Sequence, residues 1–214
     1  MANINGAFGL RPISKLGQGT NSTGFSGYTP YEIKNDNSNV IYHGSPVIPL
    51  STGFIDIVGA AAGGSVSLVG ALMGVEYVSS TTGKVVFANH WAGSGADSNH
   101  PIKAFVADDP NQLFVIATDA SLTNEAGARA AVFANANFSS GTSGSNTTGM
   151  SSAALAVSTI ATTNSLHLRI MGWLDDASNS DFASAGIGVV VRLNNSFNAP
   201  TGSIAAGTPS TTGV

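Results

Sequence analysis

Leu72-Met73-Gly74-Val75-Glu76-Tyr77-Val78, the turn at Thr82-Gly83, and the return Lys84-Val85-Val86-Phe87 decide the fold class. The first run alternates, Thr-Gly turns the chain, and the second run is β-branched and aromatic. That combination predicts a β-hairpin over residues 72–88. Further short pieces of the same kind flank it. Tyr31-Glu32-Ile33, Val40-Ile41-Tyr42 and Val47-Ile48-Pro49-Leu50 precede it, and Ile102 to Ala107 follows. Asp108-Asp109-Pro110-Asn111 carries turn chemistry and leads into Leu113-Phe114-Val115-Ile116-Ala117-Thr118, so a second hairpin is expected there. Leu166, Leu168 and Ile170 alternate against His167, Arg169 and Met171, and Ile187 to Leu193 reads as the closing strand. Asn124 to Asn135 is the one helix candidate, with Asn124 placed to cap it. The expectation is a mainly β chain: an antiparallel β-sandwich or small β-barrel with one short helix.

The ends read differently. Residues 1–27 hold one small apolar knot, Phe8-Gly9-Leu10-Arg11-Pro12-Ile13, among Gly, Asn, Ser and Thr. Such a segment cannot build a core by itself, and an extended N-terminal arm that orders on a neighbour is expected. Residues 28–197 form the β-rich body. Residues 198–214, with Pro200, Gly202, Gly207, Pro209 and Gly213, are expected as a loose C-terminal tail.

Charged residues are only 9% of the 214, against about 25% in ordinary soluble domains. Ser, Thr, Asn and Gly supply the polarity instead. Surfaces of that kind desolvate at low cost, and interface cores are likewise poor in charge. An oligomer or an assembly component is the reading. The scattered Lys and Arg leave no basic footprint, so no nucleic-acid partner is expected. No apolar run reaches membrane-spanning length, so no membrane partner is expected either. Met1-Ala2-Asn3-Ile4-Asn5-Gly6 lacks the charged and apolar regions of a signal peptide, which points to synthesis in a cytoplasm.

Chemistry is sparse. With no Cys, no thiolate site is available. Asp108-Asp109 and Asp175-Asp176 fall in turns, where Asp caps backbone. His43, His90, His100 and His167 form no HxH or HExxH pattern. His90, His100 and Asp97 share one Gly-rich loop, which leaves a weak metal option. His167 is assigned to the polar face of its strand. No serine lies in GxSxG, and Gly17-Gln18-Gly19 lacks a third glycine. No catalytic residue, cofactor or metal site is assigned, and a non-enzyme is expected. Trp173 ends an apolar strand and is assigned to the core. Trp91 stands in the Gly-rich loop and either anchors a subunit contact or folds back onto its own domain.

The order of several short motifs carries a resemblance. They are Asn5-Gly6-Ala7-Phe8-Gly9-Leu10-Arg11-Pro12, Tyr31-Glu32-Ile33, Ile41-Tyr42-His43-Gly44-Ser45-Pro46-Val47 and Gly74-Val75-Glu76-Tyr77. Ala107-Asp108-Asp109-Pro110-Asn111 with Phe114-Val115-Ile116 follows, then Leu166-His167-Leu168-Arg169-Ile170. In this order the chain resembles the capsid decoration, or cement, proteins of tailed bacteriophages, particularly those of marine phages. Ser45 departs from the pattern, where an Asp is expected in many relatives. The resemblance implies a structural protein on the outer capsid surface of the virion, made in the host cytoplasm. Its implied partners are the major capsid protein and itself, as a homotrimer. No catalytic residue is implied. Phe8, Leu10, Arg11, Pro12, Ile13 and Trp91 are the candidate interface residues. Removing residues 1–13 is then expected to weaken attachment or trimer formation more than it lowers the melting point. Other virion parts (a fibre, a tail component or the shell protein) and a carbohydrate-binding β-sandwich are the alternatives. A shell protein calls for a long amphipathic helix, and a glycan binder for clustered exposed aromatics.

Overall fold

The computed structural model describes residue 3 and residues 6–17, 27–59 and 67–199. In chain order the strands are β1 (Arg11–Lys15), β2 (Thr29–Ile33), β3 (Pro46–Pro49), β4 (Ile55–Ile57), β5 (Gly70–Val78) and β6 (Val85–Ala88). They continue as β7 (Ile102–Ala107), β8 (Gln112–Ala117), β9 (Asn135–Ala136), β10 (Phe138–Ser139), β11 (Ala154–Leu155), β12 (Leu168–Trp173) and β13 (Gly188–Leu193). One helix, α1 (Glu125–Ala131), lies between β8 and β9. Its first turn is capped as expected: the Asn124 side chain accepts from the Gly127 N–H at 2.9 Å. It stops short of residue 135: Val132 leaves the helix in an extended conformation, at ψ 134°, and Phe133 follows in the left-handed region, at φ 71°.

Two sheets dominate, and every strand pair among the described residues is antiparallel. The first sheet runs β1-β8-β13-β12-β9. The second runs β2-β7-β5-β3-β4, with β6 added to β5. The arrangement is sandwich-like and mainly β, as the alternation predicts; no closed barrel forms among the described residues.

Alternation sorts the apolar side chains into two cores. Phe114, Ile116, Leu168, Ile170, Val189 and Val191 of the first sheet meet Ala71, Met73 and Ala107 of the second. On the other side of the second sheet, Leu72, Val75, Ile33, Ile102 and Val106 pack under Trp91 and Ile41. The register between β5 and β7 slips between Leu72 and Gly74. That bulge shifts the alternation by one residue, so Val75 joins the side of Leu72. The side of Met73 then continues through Glu76 and Val78.

The hairpin predicted over 72–88 is present, with Glu76 opposite Phe87 and Val78 opposite Val85. The hairpin predicted across Asp108–Asn111 is not. β7 lies between β2 and β5, while β8 lies between β1 and β13, so the turn crosses from one sheet to the other. The turn itself is tight: the Asn111 N–H donates to the Asp109 carboxylate at 2.8 Å, and the Gln112 N–H to the Asp109 carbonyl at 2.9 Å. Its two acids are held by different edges. Asp108 accepts from Thr29 and Tyr31 of β2, and Asp109 pairs with Lys15 of β1. Local turn chemistry is satisfied by either outcome, and pairing beyond the turn decides between them.

The arm expected over residues 1–27 is also corrected. Leu10 is 1% exposed in the first core, and β1 is a strand of the first sheet. Burying one such side chain stabilises by about 1.5–3 kcal/mol, which holds the segment on its own body. Gly9 makes the approach possible: its φ is 74°, and a Cβ there would stand 2.5 Å from the Gly44 carbonyl oxygen. Asn3 is tied in too, donating to the Asp181 carbonyl at 2.7 Å and accepting from the Asp181 N–H at 3.1 Å. The rest of the expected arm, residues 1, 2, 4, 5 and 18–26, lies outside the described residues, as does the expected tail from residue 200.

Candidate functional site

Five of the six nominated interface residues come from one stretch, and the structure gives that stretch a shape. β1 is the edge of the first sheet, with Arg11 opposite Val115 and Pro12 opposite Phe114. The register slips before Ser14, leaving Ile13 in a bulge and 38% exposed. Beside this edge lies a groove of 520 Å³, lined by Phe8, Arg11, Ile13, Val115, Met150 and Leu174, with Leu10 also on its wall. Pro12, partly buried opposite Phe114, belongs to the strand rather than to the lining. The sixth nominee is corrected. Trp91 is fully buried, donates its indole N–H to the Asn37 carbonyl at 3.0 Å, and meets Tyr77 edge-on at 5.4 Å. It folds back onto its own domain, because its loop caps the second core.

The far wall of the groove is the 174–188 loop, and one buried amide fixes it. Asn179 donates to the Leu174 carbonyl at 2.8 Å and the Gly188 carbonyl at 3.0 Å, and accepts from the Gly188 N–H at 2.6 Å. The groove carries two opposite charges. Arg11 is exposed, and its guanidinium makes no ion pair or hydrogen bond among the described residues. Asp176 accepts from the Ser178 hydroxyl at 2.6 Å and the Ser178 N–H at 2.8 Å. Those bonds hold its carboxyl below the usual range, so it is an anion at neutral pH. An apolar trough with one cation and one anion is suited to holding a side chain of another molecule.

A second surface was not assigned from the sequence. On the face that continues from Met73, the residues Pro30, Phe105, Glu76, Val78, Phe87 and Val85 follow one another across β2, β7, β5 and β6. Nearer β3 this same face is buried against the first sheet, through Ala71, Met73 and Ala107. Beyond that cover it is open: Phe87 is 73% exposed and Val85 is 54% exposed. Glu76 and Lys103 form a surface ion pair at 3.0 Å within it. Among the described residues, β6 pairs with β5 alone. One signal for this surface is present in the sequence. Val85-Val86-Phe87-Ala88 has no polar residue on either face, whereas a half-exposed strand alternates.

The remaining candidates stay apart. Asp97 accepts from the Asn99 N–H at 2.7 Å and sits 3.8 Å from His100, while His90 stacks on Tyr42 at 6.1 Å. No group of three or more His, Cys, Asp or Glu side chains converges among the described residues. His167, assigned to a polar face, is 1% exposed; its Nδ1 lies 2.9 Å from the Asn137 side-chain oxygen. It precedes β12, so the alternation of that strand does not govern it. Asp176 caps its own turn, as expected for Asp-Asp in loops. Trp173 is only half-buried, with the Arg129 guanidinium 5.3 Å above its ring and Phe182 edge-on at 5.5 Å.

No family model matches the chain, and neither a curated protein nor a solved structure matches it.

Proposed function

We propose that the chain is a structural virion protein that binds the outer surface of a mature icosahedral phage capsid. In this reading it acts as a homotrimer and stabilises the shell by bridging neighbouring capsid subunits. The observation that supports it best is the open sheet face around Phe87 on a chain with only 9% charged residues. An apolar face beside few charges is costly to leave in water and cheap to cover. The groove beside β1 offers a second such surface, and the first of the motifs whose order carries the resemblance to decoration proteins borders it.

The physics is linkage. A protein that binds the expanded shell and not its precursor stabilises that shell by mass action. Weak contacts repeated around a trimer reinforce one another through effective concentration. The test is to mix the purified chain with undecorated mature capsids of its source particle. Saturable binding and a higher temperature of capsid disruption are expected. No binding at micromolar protein would end this reading.

A further inference from the structure

We infer that the strand bearing Phe87 docks into the β1 groove of a second copy of this chain. The inference deepens the functional reading above and rests on it for the expectation that copies meet. The two surfaces are complementary in shape. Phe87 projects from an edge strand at 73% exposure, with Val85 beside it on the same face. The groove is a 520 Å³ apolar trough, roomy enough for a phenyl ring, between Ile13 and Leu174.

They are also complementary in charge. Glu76 stands directly opposite Phe87 in the hairpin, where it also pairs with Lys103 at 3.0 Å, and Lys84 immediately precedes the strand. Lys84 makes no ion pair among the described residues. The groove holds the reverse set, an unpaired Arg11 and the anionic Asp176. Docking places Glu76 toward Arg11 and Lys84 toward Asp176. Opposite charges in these positions fix orientation and disfavour the reversed pose. Net charge is only −4, so repulsion between copies is weak.

The projecting strand and the groove are different surfaces of one chain. The contact is therefore head-to-tail, and it closes into a ring when the rotation between copies permits. Each copy then fills one neighbour's groove and offers its own to the other.

Sedimentation velocity of the full chain, across a range of concentrations and without capsids, tests this. The wild type is expected to sediment as a closed oligomer. Phe87→Ser and Leu174→Ser are each expected to raise the dissociation constant at least tenfold, and Phe87→Ser, at a position 73% exposed, leaves the melting temperature of the monomer close to wild type. Arg11→Glu or Glu76→Arg alone weakens association, and the double variant recovers it. A wild type that is monomeric throughout would overturn the inference. So would an oligomer indifferent to Phe87→Ser, or a charge-swapped double variant no better than its parents. Because no capsid is present, these outcomes are separate from capsid binding. A monomer that decorates capsids rejects this contact and the homotrimer but leaves capsid binding standing, and a Phe87-dependent oligomer that ignores capsids rejects the capsid role and leaves this contact standing.

Discussion

Glu76 of β5 and Phe87 of β6 stand directly opposite one another, on a face of the second sheet that the first sheet does not reach. The same face buries Met73 a few residues earlier. A single strand thus serves the core at one end and presents an apolar surface at the other.

That surface can be removed without harm to the fold. Phe87→Ser with Val85→Thr takes away exposed atoms only, and such substitutions usually change stability by less than about 0.5 kcal/mol. At concentrations low enough to keep the chain monomeric, the double variant is expected to bind less of a hydrophobic dye such as ANS than the wild type and to melt within a few degrees of it. Unchanged dye binding would place the main apolar surface elsewhere.

Leu10 is the opposite case. It is buried in the first core, so Leu10→Ala should cost about 2–5 kcal/mol in urea unfolding. Deleting residues 1–13 should cost more, since it also removes part of β1 and its pairing with β8. This reverses the expectation for a free arm, in which attachment suffers before stability. A deletion variant that melts like the full chain would restore the arm.

Phe133 holds φ at 71° and is 73% exposed. A left-handed conformation costs an L-residue about 1–2 kcal/mol, and an exposed ring recovers little of that by packing. Phe133→Gly is therefore expected to leave stability unchanged or raise it by up to about 1 kcal/mol in chemical denaturation. A loss above about 1 kcal/mol would mean that the ring packs on its surroundings.

Tyr31 sets a limit at alkaline pH. Burial, with a further contribution from Asp108, raises its pKa above the usual 10.0. The hydroxyl donates to the Asp108 carboxylate at 2.8 Å, and Asn198 joins the same carboxylate at 3.1 Å. A raised pKa means the folded state holds the proton more tightly than the unfolded state. Its contribution to stability is complete below pH 10 and is lost as pH rises through the folded value. The thermal unfolding temperature should fall above pH 10, and Tyr31→Phe should flatten that fall. An identical alkaline slope in the variant would assign it to other groups.

Much of the fold is legible because its signals are local. The alternation from Leu72 to Val78, the Thr82-Gly83 turn and the Asn124 cap each act within a few residues. The Asp108–Asn111 turn shows where locality ends. Its residues specify a reversal, and the partners of β7 and β8, far away in sequence, decide which sheet each strand joins. The stretch from Phe8 to Ile13 was singled out as apolar in a Gly-rich context, and it does border the groove. Whether Leu10 faces inward or outward depends on Gly44 and Phe114, which composition does not place beside it. Trp91 was open for the same reason. Phe87 was missed because a strand's period assigns residues to faces, while the extent of the opposing sheet decides which part of a face is covered.

A cryo-EM map of the source particle tests the account most directly. The account predicts density for this chain on the outer surface of the mature shell, at the junctions between capsomers, with the Phe87 face and the β1 groove both covered. Density for the chain in a fibre or tail, or within the shell layer itself, would contradict it.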